Sequence, residues 1–264
     1  MSDLENRFGG ISRLYGQDGF NKLKNAHVCV VGIGGVGSWT VEALVRSGVG
    51  AITLVDLDDI CSSNTNRQLH AMDGNFGKQK IDAMGERCRL INPEVKVFLK
   101  NYFFSERTIE DLLTEPFDYL VDAMDSLKEK CLLIATCKNR KIPMVTVGGA
   151  GGKRFPDEVK IADLNKTFGD SLLSKVRKNL RKEYNFSRNL KRRFSIDAVF
   201  SPELPVFPDS FGGVCSEKSS DKPMKLDCQS GFGAITFVTG TFGFHAASCA
   251  IKKIAGGSKK KLSN

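Results

Sequence analysis

The sequence predicts an α/β fold in which helices cover both faces of a mainly parallel sheet. Three observations support this prediction. Short apolar segments rich in Val, Ile and Leu recur along the first half of the chain, longer stretches with helical periodicity separate them, and glycines follow the first apolar segment. Strands buried on both faces have continuous apolar sequences, and parallel neighbours need a crossover that is usually a helix. A smaller C-terminal α+β portion is expected to extend this sheet.

The first half of the chain alternates predicted strands and helices. The strands are expected at 27–34, 51–56, 95–100, 119–125 and 142–149. The helices are expected at 38–48, 77–92, 105–114 and 126–141. The carboxyl ends of parallel strands form one edge of a sheet, where ligands bind in a crevice. The residues predicted to lie at this edge are Gly34, Asp56, Asp125 and Gly148.

The pattern loosens after residue 150. Two more strands are expected, at 160–164 and 196–201, with a basic helix at 170–182 between them. A loop rich in Pro, Gly, Ser and Lys at 202–227 precedes a final helix at 232–254. The domain prediction is a single domain over 1–255, with a nucleotide-binding half at about 26–150, a substrate-facing half at about 151–255, and then a flexible basic tail at 256–264.

Composition excludes a fibrous or mainly disordered protein. Of the 264 residues, 41% are hydrophobic and 26% are charged, which are ordinary globular values. The eight cysteines form no C-x-x-C pair and there are three histidines, so no zinc site is expected. Residues 1–26 are polar and predict no signal peptide, so we expect reduced thiols and a cytoplasmic location.

The segment 231–251 contains no Lys, Arg, Asp or Glu. Its four glycines and His245 make it weakly apolar, whereas a bilayer span needs about 20 predominantly apolar residues. The sequence therefore predicts a buried closing helix, and membrane association through 231–251 is the alternative.

The net charge of +9 is concentrated in two segments. Residues 175–193 hold nine Lys or Arg and one Glu, for a net charge of +8, and residues 252–264 hold five Lys, for +5. The remainder of the chain therefore carries a net charge of −4. Concentrated basic segments favour polyanionic partners, although a solvated helix face and a flexible tail would have the same composition.

The sequence GIGGVGS at 32–38 predicts a Rossmann-like nucleotide site. Gly32, Gly34 and Gly37 match G-x-G-x-x-G. Asp56 ends the next strand, 19 residues after the last glycine. Such glycines let the backbone approach phosphate oxygens at a helix N-terminus, and an acid in this position accepts hydrogen bonds from a ribose. The motif alone is equally typical of proteins that bind NAD or FAD.

Polar residues beyond the second strand favour a triphosphate over a dinucleotide. Attack at an α-phosphate places charge on that phosphate and on the departing pyrophosphate, and fixed cations and a metal stabilise this charge. Arg67 and Lys80 would supply the cations and Asn64 a neutral donor. Asp125 would supply an oxygen ligand for Mg²⁺. Taken singly, Lys80 could be a solvated lysine and Asp125 a helix N-cap.

Several motifs together resemble the ubiquitin-activating-enzyme-like adenylation superfamily (HesA/MoeB/ThiF). They are GIGGVGS, D-x-D-x(5)-N-x-NRQ at 56–68, G-x-x-K at 77–80 and Asp125. Further segments resemble the tRNA threonylcarbamoyladenosine dehydratase family within it. They are RFGG at 7–10, RLYG at 13–16, TVGGAGG at 146–152, DAVFS at 197–201 and DCQSGFGAITFVTGTFGF at 227–244. The resemblance covers about residues 7–255.

This resemblance implies an ATP-dependent cyclisation, with net loss of water, of threonylcarbamoyladenosine next to the tRNA anticodon. The threonyl carboxylate would be adenylated, and a nitrogen of the same modification would displace AMP by intramolecular ring closure. The resemblance also implies a homodimer. A cysteine desulfurase or sulfur acceptor as partner and a bound monovalent cation are further expectations from it.

The resemblance assigns roles by position. The residues implied to hold the nucleotide are Gly32, Gly34, Gly35, Gly37, Asp56 and Asp58. The residues implied to contact its phosphates are Asn64, Arg67 and Lys80, with Mg²⁺ on Asp125. In relatives with the pattern R-[YF]-x-R-Q, an N-terminal arginine, often from the partner subunit, reaches the triphosphate. Gly10 replaces the second arginine of that pattern here, so this residue is Arg7 or Arg13.

Two residues have alternative interpretations. Cys228 lies ahead of the final helix, where related activators use a cysteine to form a thioester, and it is either that nucleophile or a buried small residue. His70 follows the phosphate-side motif and either lines the pocket or is a satisfied loop residue.

The family resemblance gives the basic segments a partner. Residues 175–193, with the Lys-rich tail, would hold the anticodon stem-loop through its phosphates. Three aromatic residues among these cations either stack on bases or anchor the basic helix in the core: Tyr184, Phe186 and Phe194.

Three other functions stay open at this point. The glycine motif and Asp56 alone would fit an NAD-dependent oxidoreductase, which leaves Arg67, Lys80 and Asp125 without a role. The adenylation fold would also fit an activator of a small protein's C-terminus, although this chain lacks the C-x-x-C pairs of the sulfur-carrier activators. A non-catalytic tRNA-binding or sulfur-relay scaffold would keep ATP as a structural ligand.

Overall fold

A seven-stranded sheet forms the centre of the computed structural model, which describes residues 3–209, 212–215 and 232–256. Its strands are β1 (His27–Val31), β2 (Ala51–Val55), β3 (Lys96–Lys100), β4 (Tyr119–Asp122), β5 (Met144–Val147), β6 (Lys160–Asp163) and β7 (Asp197–Phe200). They lie in the order β3-β2-β1-β4-β5-β7-β6, and every neighbouring pair is parallel except β6 and β7. The predicted α/β fold with a mainly parallel sheet is confirmed.

Helices cover both faces of this sheet. They are α1 (Asp3–Asn25), α2 (Gly37–Arg46), α3 (Lys80–Ile91), α4 (Ile109–Leu112), α5 (Leu127–Arg140), α6 (Ser171–Glu183) and α7 (Thr236–Ala255). Alternate strand residues separate the core into two layers. Val28 and Val30 of β1 pack in the layer that contains α2, α3 and α7, and Cys29 and Val31 pack in the layer that contains α5 and α6.

Three strands end earlier than predicted. β1 stops at Val31 and β4 at Asp122, each three residues before its predicted end, and β5 stops at Val147, two residues before. The apolar and glycine-rich pattern continues past these points, but the backbone leaves the ladder to form loops. The loops at the carboxyl edge are therefore longer than the sequence indicated.

Two other predicted elements need correction. The segment predicted as a loop at 202–227 contains a short antiparallel pair, β8 (Phe207–Pro208) with β9 (Val214–Cys215). Residues 210–211 and 216–227 of that prediction lie outside the described residues. The helix predicted at 105–114 is limited to the four residues of α4.

The N-terminal helix α1 was not predicted. Residues 1–26 are polar overall, yet Leu4, Phe8, Phe20 and Leu23 are buried. Gly16 has a φ of 74° and kinks the helix between Phe8 and Phe20. The apolar positions are regularly spaced but too few for a strong helical signal, and α1 gains its buried face from contact with α7.

The uncharged segment near the C-terminus forms α7, which packs across the sheet as the predicted closing helix. Small residues allow it to approach α2 closely. A Cβ on Gly243 would lie 2.7 Å from the carbonyl oxygen of Val36. In the part of the chain that the structure describes, no helix has the length and apolar character needed to cross a membrane.

The cysteines within the described residues are all free thiols. Burial raises the pKa of Cys88, Cys131 and Cys137 to about 12. A neutral buried thiol behaves as a small apolar group, so these three are packing residues.

A buried carboxylate joins α2 to α3. Glu42 accepts hydrogen bonds from Arg87 at 2.7 and 2.9 Å and from Arg46 at 2.7 Å. Burial by itself raises the pKa of the Glu42 carboxyl, but the hydrogen bonds from the two arginines outweigh it and leave the pKa below its ordinary value.

We expect Glu42→Gln to lower the free energy of unfolding by about 1–2 kcal/mol at pH 7, because it removes charge from these hydrogen bonds. The folded-state pKa of Glu42 is lowered, so its contribution is present above the unfolded-state pKa of about 4.3 and is lost as the pH falls through the folded-state value. Urea unfolding at pH 7 and pH 3 measures this. An equal difference between the two proteins at both pH values would contradict the expectation.

Candidate active site

The loop between β1 and α2 presents free backbone amides. Gly32 has a φ of 89°, and a Cβ there would lie 2.9 Å from the carbonyl oxygen of Ala123. A Cβ on Gly37 would lie 1.8 Å from the carbonyl oxygen of Gly32, so neither position accepts a side chain. Within the described residues, the N–H groups of residues 34–36 donate to no acceptor. Free amides at a helix N-terminus are suited to bind phosphate.

Asp56 ties the end of β2 to this glycine loop. Its Oδ2 accepts a hydrogen bond from the Ile33 N–H at 2.6 Å, and its Oδ1 accepts one from the Asp58 N–H at 2.9 Å. Each carboxylate oxygen has a second lone pair. Asp56 can therefore hold the loop and still accept a hydrogen bond from a ribose hydroxyl.

Lys80 is a buried cation at the same edge of the sheet. It is the first residue of α3, is 6% exposed, and donates a hydrogen bond to Asp58 Oδ2 at 2.6 Å. The backbone N–H of Lys80 also donates to the carbonyl oxygen of Asp58. The alternative of a solvated lysine is therefore wrong, since the side chain is both buried and paired.

Arg67 and Asn64 lie on the segment that covers the glycine loop. A Cβ on Gly35 would lie 3.3 Å from Arg67 Cγ, so the arginine stem rests against the loop. The Arg67 guanidinium donates to the carbonyl oxygen of Ser63 at 2.8 Å, and the Arg67 carbonyl oxygen accepts from Trp39 Nε1 at 3.1 Å. Asn64 is buried and accepts from the Cys61 N–H through Oδ1. Motif spacing identified Arg67 and Asn64, but not the anchoring role of Trp39.

Asp125 lies in the turn between β4 and α5, which abuts the glycine loop through Ala123. The side chain is exposed and makes no hydrogen bond or ion pair with any other described residue. Helix α5 begins at Leu127 with Ser126 as its N-cap, so the N-cap alternative for Asp125 is wrong.

A free carboxylate in this turn fits magnesium. Mg²⁺ usually keeps several waters and binds through one or two carboxylates together with phosphate oxygens. Among the residues that the structure describes, no three His, Cys, Asp or Glu side chains converge to hold a metal by themselves. A metal at Asp125 would therefore need oxygens from the nucleotide.

His70 and Gln68 form the floor of the glycine loop. His70 is 1% exposed, and its Nε2 lies 2.9 Å from the carbonyl oxygen of Ile33. Burial lowers the pKa of His70, so the ring is neutral at pH 7 and donates through Nε2. Of its two interpretations, the structure supports a buried loop residue that is satisfied at Nε2 only, since Nδ1 has no hydrogen-bond partner among the described residues. Gln68 lies below Gly34 and had no signal in the sequence beyond its place in the motif.

Within one chain, Arg7 lies far from Lys80 and Arg13 lies against its own helix. Arg7 donates to the carbonyl oxygen of Ile91, at the opposite end of α3 from Lys80. These ends of α3 are about 16 Å apart. The Arg13 guanidinium lies over Gly9 and Gly10 of its own helix. The candidate nucleophile Cys228 lies outside the described residues, as does most of the basic tail.

The basic segment forms a surface on the flank of the sheet. Lys175, Lys178 and Lys182 are exposed and spaced i, i+3 and i+7, so they lie on one stripe of α6 opposite its buried face. An open groove of about 430 Å³ next to the stripe is lined by Lys178, Arg181, Lys182, Arg188 and Leu190. We call Lys175, Lys178, Lys182 and Arg188 the basic face.

Other cations of the segment are used inside the protein. Arg177 donates to Thr167 and Arg181 to Asn165, and Arg193 lies 3.4 Å from Asp163 Oδ2. The aromatic residues of the segment were expected either to stack on bases or to anchor the helix in the core, and the structure separates them. Phe186 and Phe194 are buried and pack edge to face with ring centroids 4.9 Å apart, so they are core anchors, and Tyr184 is half-buried.

Known proteins resemble this chain over almost its whole length. A family model described as the ThiF family matches residues 10–264. A tRNA threonylcarbamoyladenosine dehydratase from Haemophilus influenzae is 52% identical over 254 residues, covering 96% of this chain and 95% of that relative. A relative of the same name from Escherichia coli is 48% identical, covering 94% of this chain and 93% of that relative.

Solved structures of proteins with this name are also similar to the chain. The structure of E. coli tRNA N6-threonylcarbamoyladenosine dehydratase in complex with ATP has a TM-score of 0.85 and 44% identity, covering 96% of each chain. The likeness extends over the glycine-loop half and the basic half alike. The chain therefore belongs to the ThiF family and, within it, to the tRNA threonylcarbamoyladenosine dehydratases.

Proposed function

We propose that this protein catalyses the ATP-dependent cyclisation of threonylcarbamoyladenosine next to the tRNA anticodon. The observation that carries the proposal is the grouping of Lys80, Arg67 and the free amides of residues 34–36 around one crevice. The names of the relatives support a modified tRNA as substrate, and the ATP-bound structure supports ATP as co-substrate. The same names favour this activity over an oxidoreductase or an activator of a small protein.

The chemistry required is activation of a carboxylate. A threonyl carboxylate is a poor electrophile, because its leaving group would be oxide. Attack of its oxygen on the α-phosphate of ATP forms an acyl-adenylate and releases pyrophosphate. A nitrogen of the same nucleoside then attacks the acyl carbon, loses its proton and displaces AMP. Both reacting groups belong to one nucleoside, so proximity favours ring closure without a second active site.

The side chains of the crevice match the charge that this reaction develops. Lys80 and Arg67 would stabilise negative charge on the phosphates, and the amides of residues 34–36 would add uncharged donors. Asn64 uses Oδ1 within its own turn, which leaves its Nδ2 to donate to a phosphate oxygen. Asp56 would accept a hydrogen bond from the ribose, and Asp58 holds Lys80 in position. Mg²⁺ on Asp125 would neutralise part of the triphosphate charge.

The basic face is proposed to hold the anticodon stem-loop. Its four side chains are exposed, and so is the ion pair of Lys182 with Glu183, whose charged atoms lie 3.7 Å apart. Arg177 and Arg181, in contrast, are held by hydrogen bonds to Thr167 and Asn165. An exposed ion pair contributes little, so all four cations can contact phosphates, and phosphate contacts position an RNA without reading its sequence. The Lys-rich tail would add to this surface.

A homodimer is proposed because Arg7 bonds at the opposite end of α3 from Lys80 and the Arg13 guanidinium lies against its own helix. Exposed apolar residues of α7 add support. Phe237 and Phe244 are about half exposed and lie on one helical face, and Phe244 packs against Trp39 with ring centroids 6.0 Å apart. An exposed apolar patch of this kind is typical of an interface. A second copy would bring Arg7 or Arg13 to the triphosphate.

Several finer assignments are proposals from family resemblance. They are a nucleophilic role for Cys228, a cysteine desulfurase or sulfur acceptor as partner, a bound monovalent cation, and a cytoplasmic location. The free thiols of the described cysteines are compatible with that location. Ring closure as written needs no thioester, so full cyclisation by a Cys228→Ala variant would assign Cys228 a packing role.

We expect Lys80→Met to lower the rate of AMP formation by about 10²–10³-fold, because it removes one fixed donor from the developing phosphate charge. The assay supplies Mg-ATP and tRNA bearing threonylcarbamoyladenosine, and nucleoside mass spectrometry follows the loss of one water. Lys78→Met is the matched control, since Lys78 is exposed and bonds to Asn75. Equal activity of the two variants would remove Lys80 from the reaction.

We expect the double variant Lys178→Ala/Lys182→Ala to weaken tRNA binding and to reduce the slope of log K against log salt by about 1–2, because two phosphate contacts are lost. ATP binding without tRNA stays unchanged. The control is Arg89→Ala/Lys96→Ala, which removes two exposed cations on the β3 side of the sheet. Filter binding at several salt concentrations measures both. A slope as steep as that of the parent would exclude the basic face.

If the arginine acts in trans, two inactive variants should complement each other. Equal mixing of subunits carrying Lys80→Met with subunits carrying Arg7→Ala, or Arg13→Ala, should restore about a quarter of the parent activity, since half of the dimers are mixed and each has one intact site. The arginine whose variant is inactive alone and is complemented is the one that acts. Mixtures that stay inactive would place the arginine in the same chain as Lys80.

A further inference from the structure

We infer that a buried ion pair between Lys130 and Asp122 positions the turn that carries Asp125, so that both are positioning residues for the metal-bound triphosphate. The inference rests on the role proposed for Asp125. Neither Lys130 nor Asp122 had a role in the sequence motifs, and neither contacts the crevice directly.

The pair joins three elements below the crevice. Both side chains are fully buried, and Lys130 Nζ lies 2.8 Å from Asp122 Oδ2. Thr146 donates from Oγ1 to the same carboxylate oxygen at 2.7 Å and accepts from Lys130 Nζ at 3.2 Å. Lys130 belongs to α5, Asp122 to the end of β4 and Thr146 to β5. The three side chains therefore fix the start of α5 to the ends of two strands.

The second carboxylate oxygen of Asp122 shapes the turn itself. Its Oδ1 accepts a hydrogen bond from the backbone N–H of Met124 at 3.2 Å, and the Met124 residue precedes Asp125 directly. The N–H of Ala123 donates to the carbonyl oxygen of Val31 at 2.9 Å. Rotation of the Asp122 carboxylate would therefore release the Met124 N–H and alter the path of the backbone at Asp125.

Stability alone does not account for the pair. Removing two charges from water is costly, and an apolar pair of similar volume is often as stable as a buried ion pair. An apolar pair cannot accept the Met124 N–H or fix the orientation of a carboxylate. The Met124 N–H that Asp122 accepts precedes Asp125 directly, which indicates that the role of the pair is to position the turn. Partners that orient a metal ligand commonly alter metal affinity 10–100-fold.

The test measures ATP affinity by titration calorimetry, once with Mg²⁺ and once with EDTA, and the melting temperature of each variant. The first variant is Lys130→Met. The second is the apolar triple variant Lys130→Met/Asp122→Leu/Thr146→Val, which leaves no unpaired buried charge and serves as the test if Lys130→Met does not fold. Arg87→Met is the control, because it breaks the buried pair with Glu42 away from the crevice. Thr146→Ser is the conservative variant that keeps the hydroxyl.

The quantity compared is the gain, which is the ratio of the ATP affinity with Mg²⁺ to the ATP affinity in EDTA. In Lys130→Met and in the triple variant we expect this ratio to fall by about tenfold or more. Affinity in EDTA stays near that of the parent. Arg87→Met lowers the melting temperature but keeps the gain, and so does Thr146→Ser. A merely structural pair would lower the melting temperature without this selective loss.

Asp125→Asn, measured in parallel, separates the two ways to fail. If Asp125→Asn loses the gain while the folded triple variant keeps it, the positioning role is overturned and the metal role of Asp125 stands. If Asp125→Asn keeps the gain, the metal role of Asp125 fails and the positioning role fails with it.

Discussion

The backbone contact between the glycine loop and the turn after β4 is the constraint on which the candidate site depends. A Cβ on Gly32 would lie 2.9 Å from the carbonyl oxygen of Ala123, and a Cβ on Gly37 would lie 1.8 Å from the carbonyl oxygen of Gly32. These contacts exclude any side chain and bring two loops from neighbouring strands together. The backbone of the glycine loop, with the free amides of residues 34–36, therefore lies against the turn that contains Asp125.

The charges around the crevice are arranged before any ligand binds. Lys80 is buried beside Asp58, and the Asp58 carboxylate balances its charge before phosphates provide further acceptors. Asp56 holds the loop through the Ile33 N–H and its own segment through the Asp58 N–H, and burial keeps His70 neutral below the loop. Fixed groups of this kind need little reorganisation when charge develops on a phosphate. The crevice thus combines local charge balance with a fixed geometry.

The basic half of the chain separates structural cations from surface cations. Arg177, Arg181 and Arg193 donate to side chains that precede α6, and Arg181 also donates to the carbonyl oxygen of Ser187 in the loop after the helix. The guanidinium group suits this use because it offers several donors in a planar arrangement. The lysines of α6 point away from these contacts. One segment with uniform composition therefore has both a folding role and a surface role.

Local signals were sufficient for the strands, most helices and the nucleotide motif. The central strands stand out because they are buried on both faces, and the G-x-G-x-x-G loop with Asp56 is a contiguous pattern whose spacing follows from strand and helix lengths. Asn64, Arg67, Lys80 and Asp125 were found in the same way, since each follows a strand or opens a helix. The helix α1 was missed because distant parts of the chain bury its few apolar positions. Phe8 and Phe20 lie against Gly48, and the helix also packs against α7, which is more than 200 residues away in the chain.

The sequence by itself determined the order of the seven sheet strands and of most helices, the glycine loop and the identity of the cations, because each depends on residues that are neighbours along the chain. Only the tertiary structure decided that Lys80 is buried against Asp58, that Lys130 and Thr146 meet on Asp122, and which basic residues are free. Those facts concern burial and pairing between separate elements. The packing of the sheet and its helices sets them, and no local pattern of residues encodes them.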